Sequence, residues 1–157
     1  MADYLQTGIT TVKELFQFLA DRSTSRDRIK NALLRELRDN MKLLEHRDKS
    51  GVNVMAMIDG LSASAIAEAY SANYKFDTLC EGPKKLPAAV ILSKQQEKYI
   101  GWNVERFMYA IEGKIRDLKN LPKLYSNLET APVNLSVRLN NLYNQMLLLA
   151  IFISRKA

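Results

Sequence analysis

The sequence predicts an all-α fold, a compact antiparallel bundle of four or five helices with no sheet. Three observations point there. Apolar residues recur at steps of three and four along most of the chain. Helix breakers are few, with 6 Gly and 4 Pro among 157 residues. No strand-turn-strand pattern, internal repeat or low-complexity tract interrupts the periodicity. A hydrophobic content of 47% with 25% charged residues fits one globular domain over 1–157 and excludes a largely disordered chain. Two linkers are expected, at 75–92 and 122–134.

The first helix is expected over Thr11–Ala20. Thr10 or Thr11 caps it, Glu14 completes a capping box with Thr11, and Val12, Leu15, Phe16 and Leu19 share one face. The Ser23-Thr24-Ser25 cluster then ends it and caps the next. The second helix, about Arg26 to His46, carries the stripe Ile29, Leu33, Leu37, Met41 and Leu44, and Gly51 ends it. A third segment, Val52–Tyr74, is rich in Ala and Ser, with a break expected at Gly60 and small residues that admit a close neighbour. In the first linker Ala88–Leu92 is apolar and reads as an extended piece. The fourth helix is expected over Ser93–Leu121, with Ser93 and Gln96 as its capping box, Glu112 and Arg116 spaced to pair, and Pro122 as its stop. The last helix runs Leu135–Ser154 behind an Asn134 cap. It is apolar on all sides, so it is either the central helix or part of an oligomer interface, with Leu147, Leu148, Ile151 and Phe152 as the interface candidates.

Several function classes drop out. One Cys and one His cannot form a disulfide framework or a zinc site of the usual ligands, and no metal or cofactor is expected. No Gly-rich turn joins a strand to a helix, which removes the common nucleotide-binding motifs. The start of the chain lacks a signal-peptide pattern, and the longest apolar run, Met146–Ile153, falls far short of the roughly 20 residues that cross a bilayer. A cytoplasmic protein without membrane contact is expected. His46, in the charged helix end His46-Arg47-Asp48-Lys49, is placed for the helix dipole rather than for catalysis. Cys80 has no activating base beside it.

Three constellations remain. The net charge of +6 concentrates in a row on the second helix, Arg28, Arg35, Lys42 and Lys49 at heptad spacing with Arg38 beside it. Such a row could follow a phosphate backbone, but Asp39, Glu45 and Asp48 are interleaved, which favours an ordinary solvated face. Glu36 and Asn40 flank the stripe of the same helix. A structural ion pair between Glu36 and an Arg of a neighbouring helix is the expectation there. The last helix opens with Arg138, Asn140, Asn141 and Asn144, a buried polar network that fixes register or, alternatively, an RNA or nucleotide pocket. A small-molecule pocket near Tyr99, Trp102 or Tyr109 is a further alternative.

A basic helical bundle with Arg and Asn on a late helix resembles the HEPN family of prokaryotic bundles. In active members of that family an Arg and a His four to six residues later cleave RNA, usually across a dimer. The matching stretch is Arg138–Tyr143, where Tyr143 occupies the position of the His. The resemblance therefore implies a member without catalysis, and such members act as binding or regulatory modules. The residues and the resemblance together lead to a non-catalytic interaction or regulatory module of a bacterial-type cytosolic system, more an interaction protein than an enzyme, that self-associates (a dimer) or docks on a protein partner. The alternative is an RNA-binding or HEPN-like RNA-processing protein that uses the basic face of the second helix and Arg138.

Overall fold

The computed structural model describes residues 11–128 and 130–156. The reading of the first residues, Thr10 as an alternative cap and Glu129 in the second linker all lie outside the described residues. The fold is all-α and compact, and no strand occurs among the described residues. Six α-helices follow in order: α1 Val12–Arg22, α2 Arg28–Leu44, α3 Val54–Gly60, α4 Ser64–Ser71, α5 Val104–Leu124 and α6 Leu135–Ser154.

Capping chemistry sets most helix starts. The Thr11 hydroxyl accepts from the Glu14 N–H (3.1 Å), as the capping box requires. α2 is capped by Asp27, whose carboxylate accepts from the Lys30 N–H, and not by the serine cluster. Ser25 instead bonds Asn31 and Asp27, which ties the turn to the new helix. Asn53, Asn103 and Asn134 cap α3, α5 and α6 in the same way.

The third segment breaks at Gly60 as its sequence suggests, giving α3 and α4. The expected fourth helix is shorter at its start. Residues Lys94–Tyr99 form 3₁₀ turns, Gly101 takes φ +85°, and α5 begins only at Val104. The reason is a backbone exchange. The Leu86 N–H donates to the Trp102 carbonyl (2.8 Å), and the Gly101 N–H donates to the Leu86 carbonyl (2.9 Å). Glycine alone adopts that φ without strain. The Ser93–Gln96 box does not form, because the Gln96 side chain accepts from the Leu92 N–H instead. Pro122 lies inside the last turn of α5 rather than ending it, so the following linker starts at Tyr125. Near a C-terminus a proline sacrifices a single helical bond, and two more residues keep helical geometry. Ala88–Val90 is a 3₁₀ turn, not an extended piece, with Val90 buried and Leu92 exposed.

α6 is the central helix. It packs against α1, α2 and α5. Leu139, Leu142, Met146, Leu149 and Ile153 are buried on its main stripe, and Leu148, Ile151 and Phe152 are buried on its other sides. A helix with three neighbours needs apolar residues all round. Leu148, Ile151 and Phe152 are therefore core residues, and Leu147 is half-buried against them, so the interface expected there is not a surface of this fold. No helix among the described residues is long and apolar enough to cross a membrane.

Candidate functional site

The basic row of α2 is largely engaged within the protein. Arg28 pairs with Glu68 (2.9 Å), Arg35 donates to the Ser23 carbonyl (3.0 Å), Arg38 pairs with Asp39 (3.1 Å), and the Lys42 ammonium lies 5.7 Å from the Phe16 ring centroid. Lys49 is exposed and has no side-chain partner among the described residues. The row serves the contacts of α2 with α1 and α4 rather than standing free.

Glu36 and Asn40 face a helix end, not an arginine. The Glu36 carboxylate accepts from the Ser62 hydroxyl (2.7 Å), the Ala65 N–H (3.0 Å), the Ile66 N–H (3.2 Å) and the Ser64 hydroxyl (3.3 Å). Asn40 exchanges two bonds with the Ser62 backbone, at 2.7 and 3.0 Å. The capping position of α4, Ala63, has no side chain to offer, so α2 supplies the cap from outside. The ion pair expected of Glu36 is thus replaced by helix-terminal amides, which suit a carboxylate as well as an arginine does.

The polar start of α6 splits into two roles. Asn140 is half-buried and its Oδ1 accepts from Arg47 Nε (2.6 Å), while the Arg47 guanidinium lies 4.1 Å from the centroid of the Tyr143 ring. Tyr143 is buried in that stack. Asn141 and Asn144 are exposed, so they do not belong to a buried network. Asn140 and Asn141 are sequence neighbours about 100° apart around the helix, so the two point to different surroundings.

Asn141 and Asn144 instead line a groove between α5, α6 and the 3₁₀ segment Lys94–Tyr99. One pocket along it, about 270 Å³, is bounded by Lys114, Asp117, Leu118, Arg138 and Asn141. A second, about 340 Å³, shares Asn141 and adds Ser93, Gln96, Lys98, Tyr99, Asn144 and Gln145. Volumes of this order suit small ligands. Lys98, Lys114 and Arg138 line it with one acid, Asp117; none of the three is ion-paired among the described residues, and the Lys98 ammonium lies 5.1 Å from the Tyr99 ring centroid. Burial, and then the charge of Lys98, hold the Lys114 ammonium below its usual pKa.

Gln145 is the unusual member. It is 2% exposed, and its Oε1 finds no hydrogen-bond partner among the described residues. Buried carboxamide oxygens are normally bonded. Tyr99, which walls the same space, is fixed by edge contacts to Trp102 (4.8 Å between centroids) and by Phe107 (5.7 Å). Of the residues singled out from sequence, Arg138, Asn141, Asn144 and Tyr99 meet here. Trp102 is covered by Arg106, and Tyr109 is exposed elsewhere on α5. Lys98, Lys114 and Gln145 were not singled out. The available signal was Gln145 itself, a polar residue between Leu142 and Met146 where the stripe calls for an apolar one.

No family model, no curated protein and no solved structure matches this chain. The site therefore stands on its own geometry.

Other chemistry has little footing. No group of three or more His, Cys, Asp or Glu side chains is arranged to hold a metal among the described residues. His46 is exposed at the end of α2. Cys80 is buried, and burial pushes its thiol up to about 11 despite the pull of Lys84. A thiol held so high is a poor nucleophile at neutral pH.

Proposed function

We propose that this protein is a non-catalytic helical binding module whose ligand is RNA, taken in the groove between α5 and α6. The observation that carries the reading is the trio Lys98, Lys114 and Arg138, free of ion pairs among the described residues and gathered on a groove floored by carboxamides. Cations held without acidic partners are suited to phosphates. The HEPN-like resemblance agrees with the absence of catalysis, since Tyr143, at the position of the family's His, is occupied in a stack under Arg47. RNA is read here through Arg138 rather than through the row on α2, whose cations are mostly engaged.

The test is a titration of short single-stranded RNA by fluorescence anisotropy at two salt concentrations. Affinity should fall steeply with salt, and Lys114→Glu with Arg138→Glu should weaken binding about tenfold or more. Absence of binding at low salt overturns the reading.

A second reading, self-association or docking of a protein partner, is favoured by a different place. An open apolar groove of about 520 Å³ lies where α3, the end of α5 and the start of α6 meet, lined by Val52, Met55, Pro122, Tyr125, Leu128 and Leu135. Leu124 and Val137, exposed at 73% and 49%, stand on the same two helix ends. Exposed apolar surface gathered in one place is a mark of interfaces. A dimer by light scattering that dissociates in Leu124→Lys supports this second reading, and a monomer at high concentration removes self-association.

A further inference from the structure

We propose that Lys98 and Lys114 form a subsite for a phosphomonoester, so that the groove takes an RNA strand by an end that carries a terminal phosphate. This rests on the RNA-binding reading above and goes on to name which part of the strand the groove holds.

Two lysines from different elements meet here with no acid to balance them. Lys98 comes from the 3₁₀ segment and Lys114 from the middle of α5. They line two pockets that share Asn141. Asp117 lines the Lys114 pocket, yet the charge that acts on Lys114 is that of Lys98. Lys114 is half-buried, so its ammonium has lost water without gaining an ion pair among the described residues. Lys98 is exposed, and its contact with the Tyr99 ring orients the ammonium without neutralising it. Like charges held close raise each other's energy, and partial burial raises it further. A dianion set between the two lysines relieves both penalties. A monoanion leaves one positive charge over.

RNA offers phosphate in both forms. Within the strand it is a diester with a single negative charge. At a strand end it is a monoester, with about −1.5 to −2 charge at neutral pH and three accepting oxygens. Each ammonium brings three donors. The monoester thus matches two lysines in charge and in hydrogen bonds, while the diester matches one. Shape agrees with charge. The pocket at Lys114 has about 270 Å³, and a terminal phosphate enters it with one nucleotide attached. An internal phosphate must bring a nucleotide on each side. Arg138, on the wall of the same pocket, is left for the adjoining diester.

The experiment measures one RNA sequence on the full chain by anisotropy at low salt, with hydroxyl ends, with a 5′-phosphate and with a 3′-phosphate. A hydroxyl-ended RNA one nucleotide longer controls for a charge added as a diester. One of the phosphorylated strands should bind about tenfold more tightly than the hydroxyl-ended strand, the size of one added charge-assisted contact, and the longer strand should gain about twofold at most. Lys98→Ala, at an exposed position, should bring the tenfold ratio down to about twofold or less, and Lys114→Met should do the same. Inorganic phosphate, added at constant ionic strength, should erase the advantage of the phosphorylated strand by filling the subsite. Equal affinity of hydroxyl- and phosphate-ended strands overturns the strand-end proposal and leaves RNA binding standing. An advantage that survives in Lys98→Ala and in folded Lys114→Met overturns it as well. No binding by any strand removes the RNA reading and the strand-end proposal together, and binding of inorganic phosphate alone would then assign the two lysines to a small phosphate instead.

Discussion

Two polar side chains on long helices, Glu36 on α2 and Gln145 on α6, meet opposite fates. Glu36 stands at the junction of α2 and α4 with four donors on its carboxylate. Gln145 stands in the groove of α5 and α6 with no partner for its oxygen among the described residues. Both lose water on folding, and only one recovers the lost hydrogen bonds inside the protein. The first junction is complete as it stands. The second leaves one buried acceptor unpaired among the described residues. The contrast separates a polar group that holds the fold from one that is available for binding.

The largest expected effect tests the first half of the contrast. Glu36→Ala removes the carboxylate that accepts from the Ala65 and Ile66 amides of α4 and from the Ser62 and Ser64 hydroxyls, and it should destabilise the protein by about 2–3 kcal/mol in urea unfolding. Asn40→Ala should follow it at about 1–2 kcal/mol, since the Ser62 backbone loses both of its bonds. A loss below about 0.5 kcal/mol in Glu36→Ala would mean that water replaces the carboxylate freely, and the junction would no longer count as structural.

Gln145→Leu should do the reverse. With an apolar side chain of similar length the unpaired oxygen disappears, and stability should stay level or rise by up to about 1 kcal/mol. If the variant instead unfolds more than about 1.5 kcal/mol earlier, Gln145 is a structural group like Glu36 and the contrast fails.

The first half of the contrast was more legible in sequence than the second. The stripes of α2 and α6, the break at Gly60 and the Asn134 cap are local, one-dimensional signals, and each became the expected element. Glu36 and Asn40 were legible as buried polar residues, because they flank a clear stripe, but their partner was not. The N-cap position of α4, Ala63, has no capping side chain, and a cap supplied from another helix leaves no trace in local spacing. The start of α5 was misplaced for a similar reason: Leu86 reaches Gly101 and Trp102 across the linker, and that exchange is non-local. The groove was barely visible, because Lys98, Lys114, Arg138 and Gln145 come from three separate elements. The heptad row on α2 was easy to see and is mostly engaged internally, since a periodic charge pattern cannot tell a free face from a paired one.

Lys114 sharpens the second half through pH. Its pKa is lowered, first by burial and then by Lys98, so the unfolded chain holds a proton there more firmly than the folded one. The stability associated with it is full above the ordinary lysine pKa and is lost as pH falls through the lowered value. A phosphate in the groove reverses the sign by favouring the charged form. RNA affinity should therefore decline as pH rises through the lowered Lys114 value, before exposed lysines titrate, and binding in that window should take up a proton. Calorimetry in two buffers of different ionisation heat measures this uptake. An uptake that persists unchanged in Lys114→Met would assign it to another group.

The smallest effect is expected on α2. Arg35→Glu with Lys42→Glu changes the net charge by as much as Lys114→Glu with Arg138→Glu does, so the long-range field of the protein shifts equally in both pairs. At about 0.1 M salt that field is screened over roughly 10 Å, and the α2 pair should lower RNA affinity by no more than about threefold. The groove pair, proposed to contact phosphate directly, should lower it about tenfold or more. Equal losses would mean that RNA lies along α2 or is held by overall charge alone. A small loss in one pair and a large loss in the other, at the same net charge, assigns binding to position, and position is what distinguishes Lys114 and Arg138 from the engaged cations of the row.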